Sequence, residues 1–563
     1  MPFLPVNQSD LKTRGWDELD IILLSGDAYI DHPAFAAAII GRTLEAAGFR
    51  VGIIAQPNWK EDSAFTVLGK PRLFFGITAG NMDSMVNHWT AQRKIRTDDA
   101  YSPDGKTGKR PDRATIIYTN ILRRLFKGVP IVIGGIESSL RRIAHYDFWQ
   151  DKVRNSILAD SKADILLYGM GERPVTELAV LLQQGNPVSS IQNLPSSVVF
   201  ASTPPTEEDL ILPEAEKCAA KDTFYLMTRQ FEENYRTKIL YQKTAGRWLK
   251  HNPPAKPLSS EEMDAIYALP FTYYPHPEYA GHTIPAYEQI KGSITSHRGC
   301  YGGCNFCAIS CHQGRHIQSR SEKSLLQEAQ KHNGTISDVG GPTANMYASF
   351  CKLGFPASCK RSSCLVPELC PNLQINHSVQ LQLLEKINSL PKIKHLFIAS
   401  GIRYDMAIID DNYIEAIATK YTGGRLKLAP EHSVPKVLRL MNKPNINLFE
   451  TFCRKYYYYT NKAGLKRQII PYLIVGHPGT TMEDAYKLRN WLKKNKLNVD
   501  QVQEFTPTPM TISTCMYYTG LDYETGKPIP IPKPSEIRKQ KELLLSSKDS
   551  LYAEHIGNAK HKK

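Results

Sequence analysis

The sequence predicts an α/β protein in two parts, an N-terminal doubly wound sheet followed by a partial (βα)6 barrel. Three observations predict it. Short apolar runs alternate with amphipathic stretches from the start of the chain, and this alternation lapses near residue 200 and resumes near 290. The runs are unbroken by polar residues, as strands of a parallel sheet covered on both faces must be. With 563 residues the chain has room for several domains of about 150 residues each.

In the first part, residues 1–200, the expected strands are 21–24, 51–54, 73–77, 130–133 and 165–168, with helices over 34–47, 114–126 and 173–184. Strands alternating with helices build a doubly wound sheet. Gly134-Gly135 and Gly169-Met170-Gly171-Glu172 follow strand ends, where open α/β sheets place their ligand crevices. Residues 201–290 are punctuated by Pro204-Pro205, Pro253-Pro254, Pro270 and Pro275, and are expected to be a linker or bridging segment with a helix over 222–241. In the third part, residues 291–520, strands are expected at 293–297, 335–339, 395–399, 426–429, 469–475 and 502–505, with helices between them. Six βα units fall two short of a closed eightfold barrel. Residues 521–563 read as a helical, basic tail.

Composition narrows the function classes. Hydrophobic residues at 42% and charged residues at 22% exclude a largely disordered chain. No apolar run approaches the ~20 residues of a spanning helix, and Met1-Pro2-Phe3-Leu4-Pro5 lacks the pattern of a signal peptide, so the expectation is a cytoplasmic protein with no membrane partner. A net charge of +15 permits an anionic partner such as nucleic acid, and Tyr456-Tyr457-Tyr458-Tyr459 beside Arg454 and Lys455 would be its stacking surface. In a helical stretch those tyrosines are more simply core. Of 11 cysteines, nine lie between Cys300 and Cys453, a clustering that points to reduced thiols or metal ligands rather than disulfides.

The segment Arg298-Gly299-Cys300-Tyr301-Gly302-Gly303-Cys304-Asn305-Phe306-Cys307 spaces its cysteines as C-x3-C-x2-C directly after a strand. Three thiolates on one glycine-bearing loop can hold three irons of a cubane cluster and leave the fourth open. A zinc site would need a fourth ligand, which Cys311 or His312 could supply; Cys311 could also complete a four-cysteine electron-transfer cluster. A second group, Cys351, Cys359, Cys364 and Cys370, lies in an insertion over 345–372 and reads as a closed four-thiolate metal site, holding zinc or an auxiliary cluster. Cys218, Cys453 and Cys515 are isolated and read as packing residues.

The motif and the words around it resemble the YgiQ-type family of the radical S-adenosylmethionine (radical SAM) superfamily. Those words include Gly134-Gly135-Ile136-Glu137-Ser138-Ser139-Leu140-Arg141-Arg142, Asn252-Pro253-Pro254-Ala255, Ser310-Cys311-His312-Gln313-Gly314-Arg315, Ser337-Asp338-Val339-Gly340-Gly341-Pro342 and Leu426-Lys427-Leu428-Ala429-Pro430-Glu431-His432. The resemblance implies an enzyme in which Cys300, Cys304 and Cys307 bind a [4Fe-4S] cluster. S-adenosylmethionine would be cleaved there to a 5′-deoxyadenosyl radical acting on a small-molecule or RNA substrate. It also implies a low-potential electron donor such as flavodoxin or ferredoxin. Gly340 and Gly341 stand where relatives contact the cofactor's amino group, although Pro342 replaces an acid. Glu431 stands where relatives bind the ribose hydroxyls. Gly476, in Val475-Gly476-His477-Pro478-Gly479, resembles a turn that approaches adenosine. A proton-donating role for His477 and a helix-capping role for Thr480 or Thr481 are open. The first sheet resembles cobalamin-binding domains, yet D-x-H-x-x-G is absent: Asp27 and Asp31-His32 have the wrong spacing, which leaves binding without a histidine ligand. The contrasting reading is a zinc- or cluster-stabilised nucleic-acid-binding protein without radical catalysis.

Overall fold

In the computed structural model, which describes residues 3–356, 358–499 and 501–545, the chain divides into two units. One comprises Met1–Lys291 with Cys311–Gly314 and Thr508–Met510, the other Gly292–Ser310, Arg315–Pro507 and Thr511–Lys563.

The five apolar runs of the first unit form β1 (Ile21–Ser25), β2 (Val51–Ala55), β3 (Phe74–Thr78), β4 (Ile131–Ile133) and β5 (Ile165–Leu167). All five pair in parallel in the order β2-β1-β3-β4-β5, with Ile21 opposite both Val51 and Phe74. The order reverses between β1 and β3, which opens a crevice at the strand carboxyl ends. Helices α1 (Ala36–Ala46), α2 (Ala114–Leu125) and α3 (Glu172–Gln183) cover the sheet; α1 and α3 share a core through Ile39, Leu44, Val175 and Leu178.

The segment 201–290 differs from the expected linker. Together with β6 (Ser197–Phe200) it extends the same sheet to nine strands through β7 (Leu210–Leu212), β8 (Leu240–Thr244) and β9 (Arg247–His251), in the order β5-β6-β9-β8-β7. Its helix α4 (Lys221–Asn234) buries Phe224, Met227 and Phe231. The reason is edge economy: a five-stranded parallel sheet ending at β5 would expose unpaired backbone, and the antiparallel strand β6 satisfies it.

In the second unit the first expected strand is β10 (Ser293–Thr295). The second divides into β11 (Gly334–Ile336) and β12 (Asp338–Gly340). A short hairpin, β13 (Phe350–Cys351) with β14 (Leu373–Gln374), lies in the cysteine-rich insertion. The remaining strands are β15 (Ile393–Leu396), β16 (Arg425–Glu431), β17 (Gln468–Val475) and β18 (Val502–Glu504). Pairing is parallel throughout the barrel portion: β12 on β10, β11 on β15, and β16-β17-β18 in a row. Helices α5 (Glu322–Ala329), α6 (His377–Asn388), α7 (Asp411–Thr419), α8 (Ile446–Lys462) and α9 (Met482–Lys494) pack their apolar faces on these strands, around Ile336, Leu426, Phe449 and Leu488. Beyond β18 come α10 (Ile512–Thr519) and α11 (Pro534–Leu545). The rest of the expected tail, 546–563, lies outside the described residues. Among the described residues no helix is long and apolar enough to cross a membrane.

Candidate metal centre

The loop carrying Cys300, Cys304 and Cys307 leaves the barrel just after His297–Arg298, a two-residue strand that pairs with Gln318–Ser319. Three different parts of the second unit hold its backbone. Ser363 Oγ donates to the Gly302 carbonyl at 2.7 Å, and Asn442 Nδ2 donates to the Gly303 carbonyl at 2.6 Å. Asn305 N donates to the Met441 carbonyl at 3.0 Å, and Ser513 N donates to the Asn305 carbonyl at 2.9 Å. Gly303 sits at φ +63°, and a Cβ there would collide with the Ser362 carbonyl oxygen. Only glycine fits that combination.

The electrostatics suit thiolates. Burial pushes the Cys300 thiol above its ordinary value and the neighbouring Cys304 pushes the same way, while Arg403 and Lys443 pull it down. Arg403 Nη1 donates to Cys304 Sγ at 3.6 Å. The guanidinium is buried and fixed by a fork of bonds to Asp405 of 2.8 and 2.6 Å, so its aim at the sulfur is preset. A three-cysteine loop with a cation directed at one sulfur fits a cluster carrying net negative charge. No three Cys, His, Asp or Glu side chains among the described residues are gathered as ligands of one ion would be. A cubane places each thiolate on a separate iron, so it takes a wider set.

The other expected site residues fall in different settings. Glu431 is buried at the end of β16, at φ +67°, where the β16–β17 register shifts. A non-glycine residue held there stores roughly 1–3 kcal/mol of strain, a feature that concentrates at functional sites. Burial raises its carboxyl pKa, and Lys443, 3.8 Å away, lowers it. Gly341 follows β12, where an added Cβ would lie 2.6 Å from the His297 carbonyl oxygen. The Gly340 carbonyl accepts from both Ser296 N, at 2.7 Å, and Ser296 Oγ, at 3.1 Å, so both its lone pairs are used inside the barrel. Gly476 has φ +74°, and Ile537 of α11 lies 2.7 Å from where a Cβ would stand. His477 is buried between Ser513 Oγ, 2.7 Å from Nε2, and the Pro478 carbonyl, 2.8 Å from Nδ1; burial depresses its pKa to about 3. It is a satisfied structural histidine. Thr481 caps α9 in a capping box with Asp484.

Cys311 and His312 belong to the first unit: Cys311 Sγ lies 3.7 Å from the Met510 carbonyl, and His312 Nδ1 lies 2.9 Å from Ser139 Oγ. Cys218 and Cys515 are buried, and burial pushes the Cys218 and Cys453 thiols up to about 12, as expected of packing residues. Tyr456 is fully buried in the barrel core and only Tyr458 of the four tyrosines is exposed, so the row is core and not a stacking surface.

In the first unit a crevice at the carboxyl ends of β1, β3, β4 and β5 is lined by Gly76, Gly134, Gly169, Met170, Val175 and His312. Asp27, Asp31 and His32 do not line it. Asp31 is bound to Arg42 at 2.6 Å, Asp27 to Arg110 at 2.8 Å, and His32 Nδ1 accepts from Ala34 N at 3.1 Å. The word Gly134–Arg142 proves to be a buried scaffold. Glu137 accepts from Ser84 N at 2.8 Å and Thr115 N at 3.1 Å, Arg141 pairs with Asp83, and Arg142 stacks on Tyr168 at 4.7 Å.

Residues 3–293 match the family model described as Radical SAM N-terminal, and residues 500–531 match a domain of unknown function, DUF3362. A UPF0313 protein of Geobacter sulfurreducens is 47% identical over 97% of this chain and 92% of its own length. The UPF0313 protein YgiQ of Escherichia coli K12 is 43% identical over 97% of this chain and 84% of its own length. The chain belongs to the UPF0313 (YgiQ) family. Through it the protein is a member of the radical SAM superfamily. A solved structure agrees in fold: TsrM from Kitasatospora setae, a radical SAM methyltransferase with cobalamin and a [4Fe-4S] cluster bound, is 14% identical with a TM-score of 0.50 over 93% of this chain and 84% of its own. For this YgiQ-family chain, the signal that sequence reasoning missed is Arg403. It lies 99 residues from Cys304, and no local pattern marks it.

Proposed function

We propose that this protein is a radical SAM enzyme whose [4Fe-4S] cluster is held by Cys300, Cys304 and Cys307. The observation that carries the reading is the three-cysteine loop with the Arg403 guanidinium directed at Cys304 Sγ. When bound, such a cluster supplies the electron that cleaves S-adenosylmethionine to a 5′-deoxyadenosyl radical, which takes a hydrogen atom from a substrate. The residues bind and orient. Three cysteines leave one iron without a protein ligand, the open position that substrate chemistry requires. Arg403 and Lys443 offset the negative charge of the thiolates. Glu431 accepts the two ribose hydroxyls, a use that matches its buried, strained backbone. With the Gly340 carbonyl engaged, contact with the amino group falls to Gly341. The substrate is a small molecule or an RNA, and the electron comes from a low-potential donor of the flavodoxin or ferredoxin kind.

Anaerobic reconstitution followed by reaction with S-adenosylmethionine and dithionite tests this. Wild-type protein is expected to release 5′-deoxyadenosine and Cys300→Ala to release none; equal release from both would remove the ligand assignment.

A second reading concerns the first unit. Its glycine-edged, largely apolar crevice suits the nucleotide tail of cobalamin bound without a histidine ligand. Co-purification or tight binding of cob(II)alamin, with no nitrogen splitting in its electron paramagnetic resonance (EPR) signal, is the expected result. No binding would leave the crevice to a substrate or partner.

A further inference from the structure

The cysteine-rich insertion packs on the cluster loop. Cys364 N donates to the Tyr301 carbonyl at 3.1 Å, and Ser363 Oγ reaches Gly302 as described. Cys300 and Cys364 lie against one small apolar core made by Tyr301, Met346, Leu365 and Met406. The four cysteines of the insertion are themselves brought together. Cys351 stands opposite Leu373 in the β13–β14 hairpin, Leu373 N donates to the Cys370 carbonyl at 2.9 Å, and Cys370 N donates to the Cys364 carbonyl at 2.8 Å. Cys359 N closes a turn on the Pro356 carbonyl at 2.9 Å. Arg361 spans the loop, donating to the Ser363 carbonyl at 3.1 Å and the Glu368 carbonyl at 2.7 Å. Cys370, Cys359 and Cys351 all lie within electrostatic reach of Cys364, as does Arg315.

Four half-buried thiols, three of them within electrostatic reach of Cys364 and all in one short insertion beside a cation, have little structural use as free thiols. A single zinc ion would need four sulfurs about 2.3 Å from one point. Among the described residues no three such ligands are gathered so closely. The same holds for Cys300, Cys304 and Cys307, and a cubane, which places each thiolate on its own iron, takes a wider set of sulfurs than a single ion does.

We propose that Cys351, Cys359, Cys364 and Cys370 hold a second [4Fe-4S] cluster, coordinatively closed and adjacent to the first cluster loop. With all four irons bound by protein it has no open position for S-adenosylmethionine. Its chemistry is limited to accepting one electron from a low-potential donor and returning it, so that one cluster is oxidised as the other is reduced. The site stands on its own four ligands and does not depend on occupancy of the first loop.

Iron and sulfide analysis of three anaerobically reconstituted full-length proteins tests it. Wild type is expected to hold about eight irons, and both the triple Cys300→Ala/Cys304→Ala/Cys307→Ala variant and a quadruple variant with serine at the four insertion positions about four. The EPR signal of the reduced triple variant should not change on adding S-adenosylmethionine. Iron lost entirely from the triple variant, or zinc in place of iron in that variant, would each overturn the second cluster. If the quadruple variant does not fold, the triple variant alone decides. Failure of the first-site reading shows separately, as a triple variant that retains all of its iron.

Discussion

Arg403 offers a sharp test of the proposed cluster. The guanidinium sits 3.6 Å from Cys304 Sγ and is locked by Asp405 in a buried pair. A donor to a cluster sulfur, carrying a positive charge, favours the more negative reduced state and raises the reduction potential. Arg403→Met removes both the donor and the charge, and leaves the Asp405 carboxylate without its ion pair, so the two effects push the potential the same way, downward. A hydrogen bond to a charged group is worth about 1.5–3 kcal/mol. Felt by the reduced state alone, that is a drop of about 60–130 mV, since 1.4 kcal/mol corresponds to about 59 mV for one electron. The oxidised state shares part of the interaction, so a drop of about 40–80 mV is expected. The assay is an EPR-monitored redox titration of reconstituted protein, with iron content measured on the same sample. Arg403→Lys, which keeps the charge and loses the fork, should fall between the two. A Met variant with full iron content and an unchanged or higher potential would refute the reasoning.

Two further outcomes follow from the geometry. Gly303→Ala combines a positive φ with a collision against the Ser362 carbonyl, so it should displace the loop, cost more than about 1 kcal/mol of stability and lower iron per chain; unchanged melting and iron content would refute it. His377 is buried against Tyr413, with ring centroids 4.1 Å apart, and burial depresses its pKa from 6.5 to about 4 despite Asp410 3.9 Å away. Below pH 6.5 the unfolded chain binds a proton that the folded one refuses, so stability falls as the pH drops toward 4, by on the order of 3 kcal/mol from this group. His377→Phe should flatten that part of the stability–pH curve in denaturant melts, and an unaltered slope would count against it.

The parallel strands were legible because burial on both faces forces unbroken apolar runs, and β1 to β5 each fall on one. The edge of the first sheet was not. β8 and β9 carry Gln242, Lys243, Thr244, Arg247 and Lys250, a polar content that hides a strand. Their connection, Ala245-Gly246, has positive φ at both residues, 49° and 73°, without the Asn-Gly or Asp-Gly signature of such a turn. Gly340 and Gly476 illustrate the converse. Their words resemble cofactor-binding turns, but the carbonyl of one is engaged within the barrel and the other lies against Ile537.

The cysteine loop itself shows why spacing marked the candidate ligands and not their setting. Cys307 N donates to the Cys304 carbonyl at 3.1 Å, yet other backbone bonds that fix the loop come from Ser363, Cys364, Met441, Asn442 and Ser513, 61 to 208 residues away in sequence. The loop therefore takes its shape from parts of the barrel distant in sequence. In a small zinc module the metal supplies the folding energy and the apo chain is unfolded. Here the strands, the helices and the apolar core around Ile336, Leu426, Phe449 and Leu488 form without it, and in the proposed site the thiols would meet iron on a surface already built. That arrangement suits an open site, because a loop held by protein rather than by its metal keeps its geometry while the fourth coordination position exchanges ligands.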